Sequence, residues 1–478
     1  MKEDGLKNTN TNPTDPSLNE AGLQKTYGDK ISTVDEHGKR KWQYVFQPKG
    51  KFYNWRTALS LVYLILFFGL PFIRVNGNPL FQFNILEAKF ILFGKAFFPQ
   101  DFILFGIGML IFLLFVVVFT LVYGRVFCGW ACPQTIFMEM VFRRIEYFIE
   151  GDANKQRIAE GKAWTTELYI RKAIKHIVFF ALSFLIANTF LSYIIGTDEL
   201  FKIMREPVSQ HIGGFFAIII FTFVFYAVYA FVREIVCTVI CPYGRLQSVL
   251  TDRNTILVAY DNLRGEPRAK GRKEGAGDCI DCHMCVNVCP TGIDIRNGTQ
   301  LECVNCTACI DACNMMMKKV NRPENLIKYA STNNIAEGKK WSFTYRIKAY
   351  SFVLLILVGL LVTLLVTRPM IDATILRVPG QVLQENADGT ISNLYRIKLV
   401  NKSNQSQPYH LELNYPDAKI EFVGHKLDTL KGATPAEETF FIKIPKQKIT
   451  KRKEVYKVKV MSGDKLIDTK KAIFIGQY

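Results

Sequence analysis

Charged residues disappear from the chain five times. Uncharged apolar runs occupy residues 57–73, 102–123, 177–197, 212–232 and 349–367, each near or above the length a helix needs to cross a hydrocarbon core of about 30 Å. The pattern predicts five membrane spans. The first run starts well inside the chain and no small-residue cleavage pattern follows it, so it predicts a retained helix rather than a removable signal peptide. A sixth stretch, "LFQFNILEAKFILFGKAFFP" (80–99), carries Glu87, Lys89 and Lys95. Those charges predict an interfacial or re-entrant segment between the first two spans.

Between and beyond the spans the period changes. Residues 1–50 are rich in Asn, Thr, Asp, Lys and Gly without apolar periodicity, which predicts a flexible cytoplasmic tail. "TIFMEMVFRRIEYFIEG" (135–151) distributes Ile136, Met140, Phe142 or Arg143, Ile145 and Phe148 as an amphipathic helix, expected to lie on the inner membrane surface. From about residue 370 short alternating runs follow one another: "LYRIKLV" (394–400), "YHLELNY" (409–415), "TFFIKI" (439–444), "VYKVKV" (455–460) and "KAIFIG" (471–476). Separated by Asn, Gly, Pro and Asp, they predict an antiparallel immunoglobulin-like sandwich of about seven strands.

Charge sets an orientation. The 478 residues are 49% hydrophobic and 21% charged, with a net charge of +18. The loops after the first and third runs hold few cations (Arg74, Lys89, Lys95; Lys202, Arg205), whereas nine lie between the second and third runs and more lie within 233–348. By the positive-inside rule the N-terminus is inside and the C-terminus outside. The basic excess then belongs to inner helix ends beside anionic lipid, and no nucleic-acid motif accompanies it.

All twelve cysteines fall between 128 and 313. Eight form two runs, Cys279-x2-Cys282-x2-Cys285-x3-Cys289 and Cys303-x2-Cys306-x2-Cys309-x3-Cys313. This is the two-cluster bacterial ferredoxin spacing, in which the fourth cysteine of each run ligates the other cluster. The expected sets are Cys279, Cys282, Cys285 with Cys313, and Cys303, Cys306, Cys309 with Cys289. Zinc knuckles do not need the third x2 step, and a reducing inner compartment disfavours disulfides. "CIDCH" (279–283) also fits a haem-attachment pattern. Its thiols belong to the ferredoxin run, which leaves His283 as a polar residue near a cluster. "NMMMKK" (314–319) reads as packing for this region, its thioethers being weaker copper candidates.

The other four cysteines form an internal repeat: Arg125-x2-Cys128-x3-Cys132-Pro133 after the second run and Arg233-x3-Cys237-x3-Cys241-Pro242 after the fourth. On a helix each pair would present two sulfurs from one face. Two parallel hairpin repeats facing each other would make the four thiols one shared site. Soft thiolates select Cu(I), zinc or iron–sulfur species, and Arg125 and Arg233 are placed to favour thiolate. Asn188 and Glu234 are polar positions near membrane level, explained equally by helix contacts. No phosphate-cradling loop, Rossmann fingerprint or Ser/His/Asp arrangement is present.

The predicted class is a multi-domain membrane protein. An α-helical transmembrane bundle of about five spans (51–245 and 346–369) carries an inserted two-cluster ferredoxin-like domain (246–345) and a C-terminal all-β immunoglobulin-like sandwich (370–478).

"CGWACPQT" (128–135), "CTVICPYGRLQSVLTD" (237–252), "YDNLRGEPR" (260–268), "CVNVCPTGIDIRNGTQLECVNCTACIDAC" (285–313) and "RPENLIKY" (322–329) together resemble the bacterial cytochrome c oxidase accessory proteins called CcoG, FixG or RdxA. The resemblance runs from about residue 50 to 478. It implies a protein of the bacterial inner membrane, with its N-terminus and clusters cytoplasmic and its C-terminal domain periplasmic. It further implies two 4Fe-4S clusters on the eight ferredoxin cysteines and a cytoplasmic electron donor. The resemblance also implies reduction of Cu(II) to Cu(I) for cbb3-type oxidase assembly alongside assembly factors, with Cys128, Cys132, Cys237 and Cys241 as the candidate copper or redox site. Asn314 stands where this family leads one to expect Asp. Rival readings are a quinol-linked respiratory ferredoxin and a non-catalytic assembly scaffold.

Overall fold

The computed structural model describes residue 37 and residues 40–476, apart from 76, 86–88, 163–164, 272–273, 339–342, 370, 379, 381–382, 404, 425–426, 433 and 464. Five helices are long and apolar enough to cross a membrane: Lys51–Phe72, Phe102–Tyr123, Thr166–Ile195, Ile212–Val232 and Tyr345–Val366. The third begins before its uncharged run because Arg171, Lys172 and Lys175 continue the helix. The second and fifth leave side chains such as Phe112, Phe115, Leu355 and Ile356 exposed, as helices bordered by lipid do. The chain divides into two compact units.

The first unit gathers residues up to 66, 112–188 and 212–355. Its ferredoxin-like portion joins two helices, Met284–Asn287 and Ala308–Lys319, to an antiparallel strand pair, Leu257–Tyr260 with Ile327–Ala330. Residues 40–50 belong to this unit and are not a loose tail. Phe46 N donates to Asn287 O (3.0 Å), Tyr147 Oη donates to Val45 O (2.8 Å), and the Trp42 ring lies between the guanidinium groups of Arg40 and Arg233, 4.4 and 4.6 Å away. These contacts give a polar segment fixed partners. The rest of the expected tail, save His37, lies outside the described residues.

The 135–151 segment is helical, with a widened π turn over Ile136–Phe142 followed by Arg143–Glu150. It does not lie on the membrane surface with its polar face in water. Arg143 and Glu146 are each 3% exposed, whereas Phe148 is 92% exposed. The polar face is instead neutralised internally. Arg233 donates to both Glu146 oxygens (2.9 and 2.8 Å), Lys175 pairs with Glu146 and Glu150, and Arg143 pairs with Glu139. Glu234 is part of the same network, bound by Arg40 at 2.9 Å. Asn188 donates to Phe184 O within its own helix.

The second unit comprises residues 67–111, 189–211 and 356–478. The 80–99 stretch, expected as an interfacial or re-entrant segment, is β structure. It folds as a three-stranded antiparallel sheet, Phe81–Asn84, Lys89–Leu92 and Lys95–Phe97; "FQFN" alternates with the strand period, while "KFIL" is apolar at three successive positions and forms the central strand. Phe93 and Gly94 both adopt positive φ at its tight turn, as a two-residue hairpin requires. Ala96 and Phe98 pack on Val400 of the sandwich. The sandwich has one sheet ordered Lys419–Phe422, Pro435–Pro445, Thr390–Asn401, Ile371–Arg377 and another ordered His410–Leu413, Lys453–Ser462, Lys465–Ile475. Tyr395, Ile397, Phe440, Ile442, Val458 and Phe474 fill the core. Asp101, 7% exposed, pairs with Arg368 and Lys402.

Burial alone would raise the Glu146 carboxyl, but Arg233, Lys175 and Arg143 outweigh it and hold it down at about 2, below its ordinary 4.5. Stability from this group is complete above about pH 4.5 and lost as pH falls toward 2. Replacing Glu146 with Gln leaves Arg233 buried without its counter-charge and should cost about 3–5 kcal/mol. Thermal unfolding in detergent at pH 7 should show that loss, and the gap to wild type should shrink in acid.

Candidate metal centres

The two ferredoxin runs repeat in three dimensions at an offset of 24 residues. Asp281 and His283 flank Cys282 at φ +53° and +56°, and Asn305 and Thr307 flank Cys306 at +53° and +65°. Left-handed backbone at four non-glycine residues is costly and marks a conformation imposed by a site. One cavity is lined by Cys279, Cys282, Cys285 and Cys313. A second is lined by Cys289, Cys303, Cys306 and Cys309, with Cys285 on its wall. These are the crossed sets the spacing leads one to expect. Burial pushes Cys285, Cys303 and Cys313 up to about 12 and Cys306 to about 11. Such thiols stay protonated at neutral pH unless a metal displaces the proton, so the donor sets fit iron–sulfur ligation. Around the first cavity, Arg296 bonds Asp281, Asp294 and His283. Asn314 Oδ1 accepts from Asn325 N (2.8 Å), fixing the following loop.

The other repeat has a register of 109 residues, and the backbone bonds of its cysteines are reproduced. Cys128 N and Cys237 N each donate to the carbonyl three residues back (3.0 Å), and Cys132 N and Cys241 N to the carbonyl five back (2.9 and 2.7 Å). Gly124 and Arg233 occupy matching positive-φ breaks at +53° and +49°. Gly124 therefore matches Arg233, and Arg125 matches Glu234, one residue off the alignment of the two arginines. The cysteine pairs are not one face of an intact helix either. Cys132 and Cys241 are extended residues that cap the next helices, each with Pro at its first position, where the missing proline N–H costs nothing.

The four thiols lie close enough that Cys237 senses charge on the other three, Cys128 that on Cys132 and Cys241, and Cys132 that on Cys241. Burial and those neighbours push Cys237 up to about 12. Burial also takes Cys128 to about 12, with Arg125 pulling the other way. Arg125 reaches across to Gly244, where a Cβ would lie 3.2 Å from its Nη2. Arg233 does not serve Cys237 in this way, because Glu146 holds its guanidinium. Cys128 Sγ–H donates to Gln247 Oε1 (3.2 Å). Among the described residues no three His, Cys, Asp or Glu side chains already converge on a single-ion position.

The two kinds of site abut. A Cβ on Gly129, between Cys128 and Cys132, would lie 2.5 Å from Val304 O and 2.8 Å from Cys306 Cα. Cys128 and Cys237 pack on the cluster of Val304, Cys306 and Ala308. Trp130 Nε1 donates to Tyr329 Oη (3.1 Å), which donates to Asn305 O (3.3 Å). Arg56 Nε donates to Gly129 O (3.1 Å). Asp311, between Cys309 and Cys313, accepts from Phe52 N and Tyr53 N (3.3 and 2.8 Å) and so caps the first span. Sequence reasoning missed Gly129, Arg56, Thr135, Gln247 and Asp311. The available signal was the small residue inside "CGWACP".

Paired cysteine quartets beside a thiol-bearing membrane bundle define a membrane-bound iron–sulfur electron-transfer protein. Profiles described as a 4Fe-4S dicluster domain and a 4Fe-4S binding domain match residues 232–332 and 105–151. The IG-like fold at the C-terminal of FixG matches 361–477. Protein RdxA of Cereibacter sphaeroides is 35% identical, over 75% of this chain and 79% of its own. Protein RdxB of the same organism is 32% identical, over 85% and 89%. The nitrogen fixation protein FixG of Rhizobium meliloti is 33% identical, over 62% and 59%. The chain belongs to the FixG/RdxA family of membrane ferredoxins.

Gly129→Ala should force the Cys128 loop away from Cys306 and destabilise the protein by about 1–3 kcal/mol, as overpacking does. Thermal unfolding measures that shift. Iron analysis should show the loss concentrated in the Cys303 set rather than the Cys279 set.

Proposed function

We propose that this protein takes electrons from a soluble donor on the cytoplasmic side of the bacterial inner membrane and reduces Cu(II) to Cu(I). The copper is bound by Cys128, Cys132, Cys237 and Cys241 and passed on during assembly of cbb3-type cytochrome oxidase, with assembly factors of that enzyme as partners. The observation that carries this reading is the close approach of the Gly129 backbone to Cys306, which leaves no room for a side chain between a ferredoxin cysteine and the membrane-edge thiols. The ligand sets are Cys279, Cys282, Cys285, Cys313 and Cys303, Cys306, Cys309, Cys289. Loaded as 4Fe-4S centres, they supply reducing equivalents one at a time.

The residues around the copper thiols have separate tasks. Arg125 stabilises negative charge on Cys128. Arg56 holds the Gly129 carbonyl, and the Arg233–Glu146 pair fixes the break before the second cysteine pair. Each Cu(II) takes one electron, and each thiol that binds copper releases its proton. Cu(I) prefers soft sulfur more strongly than Cu(II) does, so reduction retains the ion at the thiolates. The distribution of Lys and Arg supports a ferredoxin region inside and a sandwich in the periplasm.

Anaerobic reduction of cluster-loaded protein, removal of excess reductant and addition of Cu(II) with a Cu(I)-specific chelator tests the reading. Cluster absorbance should return to the oxidised form with one Cu(I) trapped per electron. Replacing all four membrane-edge cysteines with Ala should abolish this and leave the iron content unchanged. Reoxidation by a soluble quinone, with none by copper, would instead place the protein in a quinone-linked chain.

A further inference from the structure

The environment of the copper thiols contains polar groups with no evident structural employment. Gln247 lies in the helix Pro242–Leu250 and is 0% exposed. Its Oε1 accepts from the Cys128 thiol, and its Nε2 is buried without a hydrogen bond. Thr135, 2% exposed, has a buried hydroxyl with no partner other than the thiols and stands within hydrogen-bond reach of both Cys132 and Cys237, one thiol from each repeat. Buried donors left without partners are rare and costly. Two such groups bordering one set of thiols, each able to turn a donor toward sulfur, suit a partner that accepts hydrogen bonds when the site is loaded.

We propose that Gln247 and Thr135 are hydrogen-bond donors to the copper-bound thiolates and set how tightly Cu(I) is held. The inference rests on the copper reading above. A thiol donates and a thiolate only accepts, so loss of the Cys128 proton reverses what the site asks of Gln247. Half a turn of the carboxamide exchanges Oε1 for Nε2 with little change of shape, converting an acceptor from S–H into an N–H donor to sulfur. The displaced oxygen turns toward Tyr243, whose hydroxyl lies within reach of Gln247 and Thr120. A hydroxyl needs no such exchange, since rotation about its C–O bond lets Thr135 donate to either sulfur. The binding step breaks S–H bonds, forms S–Cu bonds and releases the protons to solvent, with no change in copper oxidation state.

Donors to metal-bound sulfur act as positioning groups that stabilise the ligating form. A single amide would not fit this role if it were packing alone, because a leucine of similar volume would fill the same space without an unpaired N–H. Repeat position 244, which matches Thr135, is glycine, and the guanidinium of Arg125 takes the space instead. Each repeat therefore contributes a different group to the shared thiols.

The test uses anaerobic, cluster-loaded full-length protein and competition for Cu(I) with a chromogenic chelator. Gln247→Leu and Thr135→Val should each bind Cu(I) about tenfold more weakly, the worth of a hydrogen bond to a charged group. The near-UV sulfur-to-copper band should shift, while iron content, melting temperature and reduction of the clusters by dithionite stay as in wild type. Thr135→Ser, which keeps the hydroxyl, should restore wild-type affinity. Wild-type affinity and an unmoved band in both Gln247→Leu and Thr135→Val would overturn the proposal while leaving the copper site standing. Wild-type protein no better at holding Cu(I) than the variant lacking all four membrane-edge cysteines would remove the copper reading itself, and this inference with it.

Discussion

The first unit is organised around a backbone contact that tolerates no side chain. Gly129 presses against the main chain at Val304 and Cys306, so a loop set by membrane helices and a loop set by ferredoxin cysteines have to be built to the same tolerance. Both are held from several directions. Arg56 binds the Gly129 carbonyl, Trp130 and Tyr329 clamp the outer side, and the Asp311 carboxylate closes the first turn of a span while its own helix carries Cys309 and Cys313. Rigid elements on both sides suit a site whose geometry decides whether an electron can pass.

Charge buried beside the membrane bundle does a second job. Glu146, Glu234, Arg233, Arg143 and Lys175 neutralise one another across helices distant in sequence. Such a network adds little net stability over apolar packing, and its loss is severe because any one partner removed leaves a charge in low dielectric. We read it as a device for register: it ties the helix following the first cysteine pair to the break preceding the second. The Arg40–Trp42–Arg233 stack brings the N-terminal segment into the same arrangement. In the second unit Asp101 has a comparable part, with Arg368 and Lys402 overcoming the effect of burial and holding its carboxyl below the usual range.

Much of this was legible in the residues. The five spans follow from apolar length and the sandwich from period-two alternation ending in the observed strands, and the cysteines grouped by spacing line two neighbouring cavities. Failures share one cause. The charges of 80–99 predict an interfacial or re-entrant segment, but they do not show that it forms a sheet packed on Val400. Nor does the 135–151 pattern show what pairs with Glu146 and Arg143, because Lys175, Arg233 and Glu234 lie 29, 87 and 91 residues away. Arg125 and Arg233 were equated because both are arginines, although backbone geometry matches Arg233 to Gly124.

By itself, then, the sequence determined what depends on local pattern: which segments leave water, which alternate, and which cysteines have ferredoxin spacing. Tertiary structure alone decided that Gly129 touches Cys306, that Arg125 and not Arg233 serves the thiols, and that Gln247 and Thr135 border them. Periodicity and spacing are written in neighbouring residues and survive reading one residue at a time. A close approach, a buried counter-charge or an unpaired donor is a property of two segments brought together, and the free energy that fixes it belongs to neither segment alone.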